Sequence, residues 1–251
     1  MPNDTSCTTD DMAEPLKEHR VWSPGLRWFH WINALCVFAL IGSGIIMLRE
    51  TEFGLSADGR YFVESLHVHI AYLFALNLLW RVYLGFFGDT HARWSALLPR
   101  GPQYWKRLYH YVRGWLRGRP PVYLGHNPLV RLIGTLTLGA LLLQAGVGLS
   151  LARGDLYLPP YAGYSAAVAK TGAEAPTPQA SRAYPTGLVH AHVALFALIA
   201  ILITLHIGGV ILMDIAERSG LISGTFTGRK YLRGPPAETL PVENSAEKDR
   251  G

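Results

Sequence analysis

Polar and apolar positions in this chain segregate on the scale of whole helices. A polar opening runs to about residue 27, and four apolar runs follow, near 29–48, 66–88, 129–152 and 187–213, with nearly all the charges between them. Each run is long enough to cross a bilayer, which takes about 20 apolar residues. The pattern therefore predicts an all-α membrane protein built as a four-helix transmembrane bundle. Between the second and third runs, Trp105, Leu108, Tyr109, Val112, Trp115 and Leu116 recur at helical spacing, with Lys106, Arg107, His110, Arg113 and Arg117 between them. That predicts an amphipathic helix over 102–118, lying in the membrane interface. The expected division is a 1–27 tail, a 28–213 membrane domain and a 214–251 tail. The last would contain a basic Gly228-Arg229-Lys230-Tyr231 anchor and a disordered end after Pro235-Pro236. The first 27 residues hold no short apolar core before a small-residue site, so the first helix is expected to be its own insertion signal.

Composition fits: 49% of the 251 residues are hydrophobic and 16% are charged. In a soluble protein the net charge of +5 would suggest nucleic acid, but here its distribution along the chain explains it better. Three Lys/Arg precede the first helix, two (Arg49, Arg60) separate the first and second, seven the second and third, three the third and fourth, and six follow the fourth. By the positive-inside rule both termini and the 89–128 loop are expected in the cytoplasm, with 49–65 and 153–186 outside. Cys7 and Cys36 are too few for a disulfide framework or an iron–sulfur site, and no Cys-x-x-Cys-His is present. A metal centre here must use histidine.

The histidines fall at telling intervals. His192 and His206 are fourteen residues apart in the last apolar run, which on a helix is about 40° short of four turns and roughly 21 Å of rise. Both leave one face at different depths, so one helix could serve two centres. Ionisable groups inside a membrane are costly and mark pathways, relays or ligands. His30 lies just inside the first helix, and Gly44, fourteen residues on, shares its face where a flat macrocycle could approach the backbone. His67 opens the second helix, with Arg81 fourteen residues later at the inner depth, where its guanidinium could pair with a cofactor's propionates or snorkel to the interface. His69 and His190 are rivals, but each points well away from its neighbour's face. His91 and His110 read as surface residues, and Gln144 with Gly134, Gly139, Gly146 and Gly148 as support. Depth pairs His67 with His192 on the outer side and His30 with His206 on the inner. Two histidines from facing helices are what a low-spin b-type haem needs axially, and such ligation leaves no open iron position. This predicts electron transfer, with two stacked haems spanning the bilayer. His126 and Asn127 could bond a quinone carbonyl or simply cap the third helix. Glu50, Glu52, Asp58 and Glu64 could form an outer docking rim, and 153–186 an outer lid.

Arg27-Trp28-Phe29-His30-Trp31, Ser65-Leu66-His67 with Arg81-Val82-Tyr83, Gly125-His126-Asn127-Pro128, the His192–His206 pair and Leu221-Ile222-Ser223 with Thr227-Gly228-Arg229-Lys230 together resemble the cytochrome b subunits of Ni/Fe-hydrogenases. The wider group includes bacterial cytochrome b561 and the cytochrome b subunits of formate dehydrogenase and thiosulfate reductase. The resemblance covers about residues 20–233. It implies two b-type haems, the outer on His67 and His192 and the inner on His30 and His206. It also implies a quinone site beside the inner haem, for which His126, Asn127 and Arg81 are the nearest candidates. The expected function is electron transfer across the inner membrane between a periplasmic redox partner, hydrogenase-like, another dehydrogenase or reductase, or a c-type cytochrome, and the quinone pool. A stand-alone superoxide:quinone oxidoreductase is the alternative within redox chemistry, and a haem-free transporter or anchor the alternative outside it.

Overall fold

The computed structural model describes residues 17–118, 121–152, 185–217, 220–232 and 236–237. The expected lid and both extreme tails lie outside these residues. A short strand β1 (Lys17–Arg20) leads into α1 (Pro24–Leu48), α2 (Ala57–Phe87), the single turn α3 (Trp94–Leu97), α4 (Pro102–Leu116), α5 (Pro128–Leu151), α6 (Thr186–Glu217), α7 (Leu221–Thr227) and strand β2 (Arg229–Leu232). Four of these, α1, α2, α5 and α6, are long and apolar enough to cross a membrane. Their outward faces carry Leu35, Leu76, Leu79, Leu143 and Ile201, all more than half exposed, as a lipid-facing surface requires.

Two helices start earlier than the apolar runs suggest. Pro24 opens α1 one turn before Phe29. More markedly, α2 begins at Ala57 rather than near 66, because Ser56 caps it by accepting from the Gly59 amide at 3.1 Å. Its 31 residues span roughly 46 Å, well beyond a hydrocarbon core of about 30 Å. The expected 49–65 loop is therefore a tight 49–56 turn followed by two polar helical turns. Hydropathy is blind to such an extension, because those turns need only a cap. At its other end α6 also overshoots, running to Glu217 rather than Met213.

The helices pack as two antiparallel pairs, α1 with α2 and α5 with α6, joined more sparingly between α2 and α5. Cys36 and Val37 of α1, Phe74 and Leu78 of α2, Leu138 and Leu141 of α5, and Ile199 and Leu202 of α6 form the shared core. Beneath one end, β1 and β2 pair antiparallel with Lys17 opposite Leu232 and Arg20 opposite Arg229. The Val21 and Trp22 amides extend this ribbon by donating to the Gly228 carbonyl at 2.8 and 3.1 Å. Gly228 sits at φ +79°, where a side chain would be strained. Parts of both expected tails are thus ordered against the bundle. Lys230 is buried, its Nζ donating to the carbonyls of Tyr123 (3.3 Å) and Gly125 (3.1 Å).

The amphipathic helix is present as α4. Tyr104 and Tyr111 turn inward, and Trp105, Tyr109, Val112 and Leu116 turn away from the bundle as a second apolar stripe. Tyr104 Oη donates to the Pro128 carbonyl at 2.7 Å, and Tyr111 Oη to Glu217 Oε1 at 2.8 Å. Burial, with Glu217 beside it, pushes the Tyr111 phenol well above its ordinary range, so it stays a donor.

Candidate functional site

Facing helices bring the four singled-out histidines together in two pairs. His67 of α2 and His192 of α6 have ring centroids 6.4 Å apart at an interplanar angle of 70°. His30 of α1 and His206 of α6 are 6.5 Å apart at 51°. These separations fall at the wide end of the range for edge-on ring pairs and leave room for a metal ion between the rings. An imidazole nitrogen lies about 2 Å from a metal it binds. With the ring centre roughly 1.1 Å behind that nitrogen, two imidazoles on opposite sides of one metal place their centroids about 6.2 Å apart. Both pairs match that figure. Among the described residues no group of three or more His, Cys, Asp or Glu could hold a metal ion. A pair of facing imidazoles would suit a metal held mainly by donors of a bound group.

The surroundings of the His67–His192 pair fit a flat group. A cavity of about 470 Å³ opens there, lined by Gly44, His67, Gln144, Gly148, Phe196 and His192 among others. A Cβ on Gly44 would lie 3.6 Å from His67 Cε1, and one on Gly148 only 3.2 Å from His192 Cε1. Gly148 thus keeps the His192 ring clear, whereas a methyl at 44 would meet His67 at ordinary contact distance. Gly148 was legible only as one of several small residues on its helix. At the rim, Arg60 and Glu50 form an ion pair at 3.5 Å, which sequence spacing did not suggest. Ser43 Oγ lies 2.8 Å from His67 Nδ1, a further contact between helices that sequence reasoning missed. Gln144 Nε2 lies 3.3 Å from His192 Nε2, a long contact that a metal on that nitrogen would replace. The rival histidines are elsewhere. His69 Nδ1 donates to the Ser65 carbonyl at 2.7 Å, His190 is exposed, and neither lines the cavity.

The His30–His206 pair sits toward the ribbon end among aromatics and cations. Trp31 meets His30 edge-on at 5.3 Å. Arg81 does not snorkel: it is 4% exposed, its guanidinium stacked over Trp94 at 5.1 Å and Phe29 at 5.9 Å. Its Nη1 is buried with no hydrogen-bond partner among the described residues, and so is Trp94 Nε1. His126 packs on Trp22 at 4.5 Å, its Nδ1 likewise covered and without a partner. Burial, reinforced by Lys230, Arg81, His91 and Arg131, pushes its pKa down to about 3, so this imidazole is neutral at ordinary pH. Asn127 is committed to the fold. Its Oδ1 accepts from the Val130 amide at 2.8 Å, and its Nδ2 donates to Tyr111 Oη at 2.9 Å. Of the three quinone candidates, Arg81 and His126 keep a covered polar atom in search of a partner, and Asn127 does not.

A family model described as prokaryotic cytochrome b561 matches residues 21–228. The chain belongs to that family. The family implies a b-type haem, and the four apolar helices make the chain a multi-pass membrane protein. Among curated relatives, a probable Ni/Fe-hydrogenase B-type cytochrome subunit of Azotobacter vinelandii is 32% identical over 53% of this chain and 59% of its own length. One of Bradyrhizobium diazoefficiens is 24% identical over 85% of this chain and 86% of its own. A probable Ni/Fe-hydrogenase 1 B-type cytochrome subunit of Escherichia coli is 24% identical over 47% and 54%. The chain thus spans somewhat over half the length of several of the curated relatives it matches. No solved structure matches it.

Proposed function

We propose that this chain is a di-haem cytochrome b that carries electrons across the bacterial inner membrane, between a redox protein on the periplasmic face and the quinone pool. One observation carries the reading: two histidine pairs at matched separations, 6.4 and 6.5 Å, served from two depths of the single helix α6. His67 and His192 would hold an outer haem, and His30 and His206 an inner one. Bound there, the haems supply one-electron carriage without an open iron position. The protein's part is to fix the imidazoles, keep water out with the apolar core, and place charge where electrons enter and leave. At the inner end, Arg81 Nη1 would take a carboxylate or the quinone oxygen as it gains charge, with neutral His126 close by.

The ribbon end is assigned to the cytoplasm. It is next to the basic 89–128 segment, whereas the α1–α2 connection holds only Arg49 among its bases. Glu50, Glu52, Asp58 and Glu64 then form a rim on the periplasmic side, with Glu50 paired to Arg60 and Glu52 to Arg49, whose net charge would meet a partner. The names of the relatives favour a hydrogenase as that partner. To test the reading, the purified chain is reconstituted into vesicles with quinol in the bilayer and ferricyanide confined to the acidic-rim side. Ferricyanide reduction well above protein-free vesicles, abolished by His30→Ala, is expected. A rate equal to empty vesicles would contradict it.

A further inference from the structure

The two histidine pairs are not equally equipped to hold their rings. Nδ1 of His30 and Nδ1 of His192 are buried with no hydrogen-bond partner among the described residues. His67 Nδ1 has one, Ser43 Oγ at 2.8 Å, reached across the α1–α2 interface from a serine only 7% exposed. The same hydroxyl lies 2.8 Å from the Ala39 carbonyl, one helical turn back, and 3.3 Å from that of Leu40. A serine has one proton to give, and a carbonyl can only accept. With that proton on Ala39, Ser43 Oγ accepts from His67, so Nδ1 carries the hydrogen. A neutral imidazole has one N–H, which leaves the lone pair on Nε2. The ring bearing that lone pair lines the cavity it shares with His192, beside Gly44, the next residue of α1.

From this geometry we infer that Ser43 is the positioning residue of the outer centre: it selects the His67 tautomer that can bind iron and fixes the ring's rotation. The inference rests on the di-haem reading. An acceptor on the distal N–H also makes a ligating imidazole more basic, and such partners typically contribute about 10- to 100-fold to metal retention. The outer haem is accordingly anchored and tuned from α1, although α1 supplies it no ligand. A basic ligand favours the ferric form, so losing the acceptor should raise the outer haem's potential.

The test uses full-length protein in detergent in a His206→Ala background, where only the outer haem remains. Haem loss to excess apomyoglobin and the midpoint potential are measured with Ser43, Ser43→Ala and Ser43→Thr. The expected result is haem loss about 10-fold faster and a higher potential for Ser43→Ala. Ser43→Thr, which keeps a hydroxyl able to bond the preceding turn, should restore both. In a His192→Ala background, where only the inner haem remains, Ser43→Ala should change neither quantity. Unchanged loss rate and potential in Ser43→Ala, failure of threonine to rescue, or an equal effect on the inner haem would overturn the role of Ser43 alone. No haem in the His206→Ala parent would overturn the di-haem reading, and the inference with it.

Discussion

The His67–His192 and His30–His206 pairs share one helix and nearly one separation, yet their surroundings have little in common. The first opens on a large cavity, with a glycine from each flanking helix against its rings and a serine on one ring nitrogen. The second sits beside buried cationic and aromatic side chains whose polar atoms include Arg81 Nη1 and Trp94 Nε1, both without partners among the described residues. One end is built for enclosure and orientation, the other for gathering positive charge. That contrast is what a trans-bilayer carrier needs if it meets a protein at one face and a small oxidant or reductant that becomes anionic at the other.

The contrast can be broken most forcefully at Arg81. Arg81→Gln removes the buried charge at the ribbon end, and quinol-driven haem reduction, followed by stopped-flow absorbance, should slow at least about 10-fold; an interaction with a charged group is worth about 1.5–3 kcal/mol. Outer-haem content and ferricyanide oxidation at the outer end should be unchanged. A matching loss at the outer end would mean the two sites are not separately equipped.

A smaller effect is expected at the glycines. A Cβ at position 148 would already sit 3.2 Å from His192 Cε1, whereas one at 139 meets nothing within 4 Å. Gly148→Val should cost the outer site about 1–3 kcal/mol through overpacking and lower outer-haem occupancy, measured as haem per chain in a His206→Ala background. Gly139→Val on the same helix should leave it unaltered. Equal losses from both would point to helix propensity rather than ring clearance.

The smallest effect concerns pH and the ribbon end. The His126 pKa is lowered in the folded state, so the unfolded chain binds more protons between about pH 6.5 and 3. Stability is therefore full above about pH 6.5 and is lost as pH falls through that window. Thermal melts from pH 7 to 4.5 should show a steeper decline for the wild type than for His126→Phe. Parallel declines would show that His126 is not the group responsible.

How much of this was legible beforehand follows from the range of each interaction. The fourteen-residue intervals on a helix of fixed pitch put His192 and His206 on one face, and the same arithmetic chose His192 over His190. Those are local facts, and sequence carries them. Ser43 and His67 are 24 positions apart and meet only because α1 packs on α2. The ribbon joins residues separated by more than 200 positions. Ser56 starts α2 two polar turns before its apolar run, where hydropathy sees only a loop. Arg81 was placed at the correct depth, but nothing in the spacing told a snorkelling side chain from one buried between Phe29 and Trp94. Asn127 was equally readable as cap or quinone contact until its amide was found bonded to the Val130 amide and Tyr111.

The central claim is that each histidine pair holds its own haem. It is tested most directly by pyridine haemochrome quantification with dithionite-reduced minus oxidised spectra on the purified chain, His192→Ala and His206→Ala. The account predicts two b-type haems per chain in the wild type and one in each variant, with the survivors differing in spectrum and potential. One haem in the wild type lost equally in both variants, or none in well-folded protein, would contradict it.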